Sequence, residues 1–108
     1  MAVGILLITH EGIGNALVAV ATRLLRTLPL TTEAFEVSFD ADLDALLPPA
    51  SAALRRVDGG HGVLVLTDMF GGAASDLAIS TMDRKGIEVI AGVNLPMLIK
   101  LASVRNEA

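Results

Sequence analysis

Two short apolar runs, Val3 to Thr9 and Gly62 to Thr67, limit what this chain can fold into more than any other feature of its sequence. Neither alternates polar with apolar residues, and each stops at a polar loop, so each reads as a β-strand covered on both faces. Strands of that kind belong to parallel sheets, whose crossovers are helices. The rest of the chain supplies them. From Asn15 to Leu28, the residues Leu17, Val20, Leu24 and Leu28 recur at helical spacing, Arg23 and Arg26 take the far side, and Pro29 stops the helix. Ala34 to Phe39 alternates, ends before Asp40, and reads as a further strand. Asp42 caps a helical stretch through Leu47, but Pro48-Pro49 remove two N–H donors and are expected to kink it or divide it in two. Asp58-Gly59-Gly60 ends the second piece. After the strand at 62–67, a helix is expected from about Ala73 to Asp83, then a turn at Lys85-Gly86. A fourth strand from Ile87 to Ala91 and a last helix capped by Asn94 complete the chain.

Four β-α units in succession predict an α/β fold: one domain over residues 1–108, a three-layer sandwich. Its parallel sheet has about four strands in the order 2-1-3-4, with helices on both faces. Of 108 residues, 53% are hydrophobic and 19% charged, which excludes a disordered chain. With three Phe and no Trp or Tyr, the apolar set suits packed layers of small branched side chains. A net charge of −4 gives no basic field for nucleic acid, and the lack of cysteine excludes disulfide frameworks and thiolate chemistry. No apolar run approaches the ~18 residues of a membrane span, and the apolar first residues lack a basic leader. A soluble cytoplasmic protein with no direct membrane insertion is expected.

In open parallel sheets, ligands gather at the carboxyl ends of the strands where the strand order reverses. In the order 2-1-3-4, the first and third strands flank that point, and the residues ending them are His10 and Asp68. A single loop histidine is more often structural, an aspartate there is as readily a helix cap, and Gly71-Gly72 alone is an ordinary turn. Together they suit a phosphoryl group carried on imidazole. Asp68 accepting from Nδ1 would leave Nε2 free to attack, and the amides of Gly71, Gly72 and Ala73 at a helix start would hold the phosphoryl oxygens.

Competing motifs fail on particular residues. Gly12-Ile13-Gly14 begins a dinucleotide fingerprint, with Asp40 as its ribose acid, but Leu17 stands where the third glycine belongs. Asp40, Asp42 and Asp44 imitate a calcium loop that Ala45 and Ser51 break, and they read as a solvated turn and helix cap. His61 falls at the opposite end of the sheet and reads as a surface residue. Two histidines and no cysteine leave no metal site, and no cofactor is expected.

Three segments also carry a family likeness: Gly4 to Val18 (GILLITHEGIGNALV), Val65 to Leu77 (VLTDMFGGAASDL) and Glu88 to Leu98 (EVIAGVNLPML). They resemble the signature blocks of the mannose-type (mannose/fructose/sorbose) IIA domains of the bacterial phosphoenolpyruvate-dependent sugar phosphotransferase system (PTS), in register from about Val3 to Ala102. The resemblance implies a phosphotransferase component with a phosphohistidine intermediate. His10 would accept phosphate from the histidine-containing phosphocarrier protein and pass it to a histidine of a IIB domain or subunit. Asp68 would hold the other ring nitrogen, and the Gly71-Gly72-Ala73 loop the phosphoryl oxygens. The chain departs from the family pattern at Ala73-Ala74, where Ser or Thr followed by Pro is usual, so a side-chain hydroxyl donor is missing. The family's usual last strand, which can cross to a neighbouring subunit, has no counterpart before Ala108; either the sequence is truncated or the expected homodimer is built differently. Two alternatives accompany the carrier reading: a regulatory binding module whose phosphorylation state controls a partner, and a subunit serving dihydroxyacetone kinase.

Overall fold

The uninterrupted apolar runs become the two inner strands of a four-stranded parallel sheet in a computed structural model that describes residues 3–27, 30–83 and 85–103. The strands are β1 (Gly4–His10), β2 (Thr32–Val37), β3 (Val63–Thr67) and β4 (Ile87–Ala91), in the order β2-β1-β3-β4. Because successive side chains of a strand point to opposite faces, β1 sends Leu6 and Ile8 one way and Ile5 and Leu7 the other; β3 does the same with Val65 and Leu66. All six are fully buried. Each such burial contributes roughly 1.5–3 kcal/mol, which is why neither run could be left half wet.

Helices cover both faces. The helices α2 (Leu43–Val57) and α3 (Ala73–Ser80) bury Ala50, Ala53, Leu54, Val57, Ala74, Leu77 and Ala78 against Leu6, Ile8 and Val65. On the other side, α1 (Gly14–Leu25) and α4 (Leu95–Ala102) place Ala21, Leu98 and Ala102 over Ile5, Leu7 and Leu66. Small residues dominate the helical faces, so the layers approach closely without aromatic filler. The expected three-layer α/β sandwich and its strand order are what the structure has. Both expected caps are present: Asp42 Oδ1 accepts from the Asp44 N–H at 3.1 Å, and Asn94 Oδ1 from the Met97 N–H at 3.0 Å.

Three local expectations are corrected. The Pro48-Pro49 pair does not divide α2, which runs unbroken from Leu43 to Val57. Both prolines lie on its exposed side, as do Asp44 and Ala45, whose carbonyls lose their N–H partners and can turn to water instead. The helix expected to Asp83 ends at Ser80 and continues as a 3₁₀ turn over Thr81–Asp83. There the Ser80 and Thr81 hydroxyls donate to the carbonyls of Leu77 and Ala78, each at 2.6 Å, and tighten the last turn.

The third correction is to the inner face of α1. Leu17 packs inward, but Val20 and Leu24 are 42% and 60% exposed, and Leu28 lies outside the described residues, as does Pro29. The buried stripe is Gly14, Leu17, Val18, Ala21 and Leu25. At the helix start, the fully buried Thr9 donates to the His10 carbonyl at 2.9 Å and accepts the Gly14 N–H on its Oγ1 at 2.8 Å. That bond fixes the start of the helix, with Gly14 on its buried side. A Cβ at Gly14 would stand 2.8 Å from Thr9 Oγ1 and 3.2 Å from the Ala34 Cβ. Gly14→Ala is therefore expected to cost roughly 1–3 kcal/mol, through overpacking and loss of the buried hydroxyl's partner, measured by urea unfolding.

Candidate active site

Parallel pairing of β1 with β3 sets Ile8 opposite Thr67, so the two strands deliver their next residues to the same edge of the sheet. His10 closes β1 and Asp68 follows β3. The His10 ring Nδ1 lies 2.8 Å from Asp68 Oδ2, and the same oxygen accepts the His10 backbone N–H at 3.2 Å. Oδ1 accepts from the Met69 N–H at 3.1 Å and from the Thr67 hydroxyl at 3.4 Å. The side chains of His10 and Asp68 are only 12% and 11% exposed. Desolvation pushes the Asp68 carboxyl up, but the hydrogen bonds from the His10 ring and from backbone N–H groups outweigh it, and the carboxyl is held below its usual range. An ionised carboxylate at Nδ1 favours the tautomer that carries the ring proton there and the lone pair on Nε2.

Gly72 brings the backbone beside that free nitrogen. Its φ is +115°, a region that side chains disfavour, and a Cβ there would lie 3.5 Å from both Cε1 and Nε2 of His10. The helix α3 begins at the next residue, with its amino end towards the ring. Among the described residues, the N–H groups of Gly72 and Ala73 have no acceptor. Gly71 is different, and its expected donor role is corrected: its N–H is given to Ser75 Oγ at 2.8 Å, whose hydroxyl in turn donates to the Gly72 carbonyl at 3.2 Å. The loop is tied shut from inside the first turn of α3.

The sequence reading singled out His10, Asp68, Gly71, Gly72 and Ala73, and all five line one shallow depression of roughly 470 Å³ together with Ile13, Phe39 and Met69. It passed over four residues that build the site. Thr9 anchors the loop after β1. Glu36 accepts the Asn15 N–H at 2.9 Å; backbone N–H groups of Asn15 and Gly12 hold its carboxyl below the usual range against the opposing effect of burial, so it caps α1 from β2. Ser75 fixes the Gly71-Gly72 turn. Phe39 stacks on the His10 ring, with centroids 4.9 Å apart and planes 25° apart. No spacing in the sequence marks Phe39; the register that pairs Val37 with His10 puts it two positions on, just past the end of β2.

His61 is exposed just ahead of β3, at the end of the sheet away from His10, and Asp40 lies exposed in the turn after β2. Among the described residues no three His, Asp or Glu side chains gather as a metal ion would need, and no helix is long and apolar enough to cross a membrane.

Two outcomes follow from this geometry. A carboxyl held low in the folded state stabilises it fully above its unfolded value, about pH 3.9, and progressively less as pH falls through the folded value. Unfolding free energy of the wild type should therefore drop more steeply below pH 4 than that of Asp68→Asn, which lacks this titration. Ser75→Ala should cost about 1 kcal/mol and speed amide exchange at Gly71 by about fivefold or more, since its N–H loses its internal acceptor.

Over 65 residues the chain is 37% identical to the PTS system mannose-specific EIIAB component of Escherichia coli (strain K12), a match spanning 59% of this chain and 20% of that protein. It is 39% identical over 54 residues to the PTS system fructose-specific EIIA component of Bacillus subtilis (strain 168), spanning 49% of this chain and 37% of that one. Among solved structures, the mannose/sorbose specific IIA subunit of the phosphotransferase system from Enterococcus faecalis superposes with a TM-score of 0.81 at 24% identity, covering 95% of this chain and 77% of that one. The PTS IIA protein associated with the fucose utilization operon of Streptococcus pneumoniae gives 0.79 at 21% identity, covering 98% and 85%; these two structures share the fold. The model of the EIIA-man family, described as the PTS system fructose IIA component, matches residues 4–108, and the chain belongs to that family.

Proposed function

We propose that this protein is a phosphoryl carrier that accepts phosphate from the histidine-containing phosphocarrier protein on His10 Nε2 and passes it to a histidine of a IIB domain or subunit. The observation that carries the proposal is the 2.8 Å contact between Nδ1 and Asp68 Oδ2, which supports a ring proton on Nδ1 and Nε2 as the nucleophile. The Nε2 lone pair attacks the phosphorus of the donor phosphohistidine; the new N–P bond forms as the old one breaks, and the donor ring keeps its electron pair. Phosphorylated at Nε2 and protonated at Nδ1, the His10 ring is positively charged, and Asp68 balances that charge. Passing the group on reverses the step.

Little covalent chemistry is asked of the protein in such a transfer, which depends on positioning and on fixed donors for the phosphoryl oxygens. The N–H groups of Gly72 and Ala73, at the amino end of α3, suit that role. A hydroxyl usual in the family is missing at Ala73, so the cradle is made of backbone alone, and Ser75 supports it from behind. Exposed apolar side chains at Ile13, Phe39 and Met69 ring the depression and fit docking of partner domains. A homodimer belongs to the same proposal, and the edge strand β4, with Ile90 partly exposed, is a surface available to a second copy.

Incubation with phosphoenolpyruvate and the upstream phosphodonor proteins should place an acid-labile phosphate on the wild type and none on His10→Ala. Asp68→Ala should stay folded and take the phosphate at least about tenfold more slowly, a barrier increase of about 1.4 kcal/mol. Equal labelling of His10→Ala would overturn the assignment. A stable complex with a IIB protein but no onward transfer would replace the carrier role by the regulatory one.

A further inference from the structure

The Phe39 side chain presents an unusual combination: it is 75% exposed, yet it lies stacked on the His10 imidazole with ring centroids 4.9 Å apart. An exposed phenyl ring gains little from the core. Its interplanar angle of 25° and its distance fall within the range of favourable aromatic pairs, so the imidazole is what holds it. Asp68 stands at Nδ1 of the same ring and Gly72 beside Cε1 and Nε2. Phe39 is the aromatic cover, and it also lines the depression into which Nε2 opens, alongside Ile13 and Met69.

We infer that Phe39 shields the phosphohistidine from water, so that the phosphoryl group waits for a protein acceptor instead of hydrolysing. The inference rests on the carrier reading and adds a residue to it. Hydrolysis needs a water oxygen to attack phosphorus opposite the Nε2–P bond; that bond breaks, the ring keeps its electron pair and the Nδ1 proton, and the phosphoryl group leaves as dihydrogen phosphate with the water's oxygen and both its protons. A water in that position must sit at the mouth of the depression, where Phe39, Ile13 and Met69 offer it no hydrogen-bond partner. Apolar groups that keep water from a reacting centre suppress this kind of side reaction. The same ring restrains the imidazole, keeping Nδ1 towards Asp68 and the phosphoryl group towards the amino end of α3. A docking partner can displace an exposed ring at the end of a loop, whereas bulk water has nothing with which to displace it.

The test uses the full chain phosphorylated by phosphoramidate, a small donor that bypasses every partner protein, with the decay of the phosphohistidine followed by phosphorus NMR. Phe39→Ala should shorten the half-life about three- to tenfold, Phe39→Tyr should restore it, and thermal unfolding should fall by no more than a few degrees, because little of Phe39 is buried and only its stack on the imidazole is lost. Before phosphorylation, the ring-current shift of the His10 Cε1 proton should disappear in Phe39→Ala and persist in Phe39→Tyr. Equal half-lives in wild type and Phe39→Ala would overturn this inference and leave the carrier reading standing. Labelling by phosphoramidate but not by the phosphodonor proteins would sink the partner assignment while the shielding result still stands. An imidazole that takes no phosphate from either source removes both.

Discussion

Everything in this molecule is referred to the hydrogen-bonded pairing of β1 with β3. These strands are not neighbours in sequence, and α1, β2 and α2 must be laid down between them before they meet. The pairing is possible because both strands are apolar on both faces, and it is obligatory for the same reason: Ile5 to Ile8 on one strand, and Val65 and Leu66 on the other, have nowhere else to avoid water. Parallel pairing then has a geometric result that antiparallel pairing would not give. Both strands end at the same edge, so a residue closing one and a residue following the other become neighbours. The chemistry is assembled by backbone ladder geometry, and the side chains refine it.

The refinement is a chain of small hydrogen bonds in which each polar group is spoken for. Thr9 turns the chain after β1, Glu36 caps α1 from the adjoining strand, Asp68 gathers four donors, and Ser75 closes the turn ahead of α3. Rigid second partners of this kind hold a reacting group in one orientation more reliably than a loop alone could. Among the described residues, Nε2 of His10 and the amides of Gly72 and Ala73 have no partner, and they lie along one depression. A site made this way is defined as much by which groups have been satisfied elsewhere as by which remain free.

Much of this was legible in the residues. The parallel sheet followed from the succession of β-α units, and once the common order 2-1-3-4 was taken for it, the meeting of His10 with Asp68 followed. The caps at Asp42 and Asn94 were plain because their side chains can reach only local N–H groups. What escaped had specific causes. The inner face of α1 differs from the expected one because Leu17, Val20 and Leu24 satisfy helical periodicity as well as Leu17, Val18, Ala21 and Leu25 do, and only packing against the sheet separates the two. The engagement of Gly71 with Ser75 depends on a loop conformation that spacing does not encode. Phe39 looked like the end of a strand, and only the register of β2 on β1 shows what it faces.

The unbroken passage of α2 through Pro48-Pro49 has a dynamic consequence. Two consecutive positions without an amide hydrogen remove two adjacent rungs of the helical ladder, so its amino-terminal turns are held mainly by the half-buried Leu43, Leu46 and Leu47. The carboxyl-terminal turns are locked by Ala50, Ala53, Leu54 and Val57 in the interior. Local opening is cheapest where cooperative bonding is thinnest. In this fold the thinly bonded segment is the one that follows the Ser38–Ala41 turn, while the turns beyond Ala50 form the firm foundation of that layer.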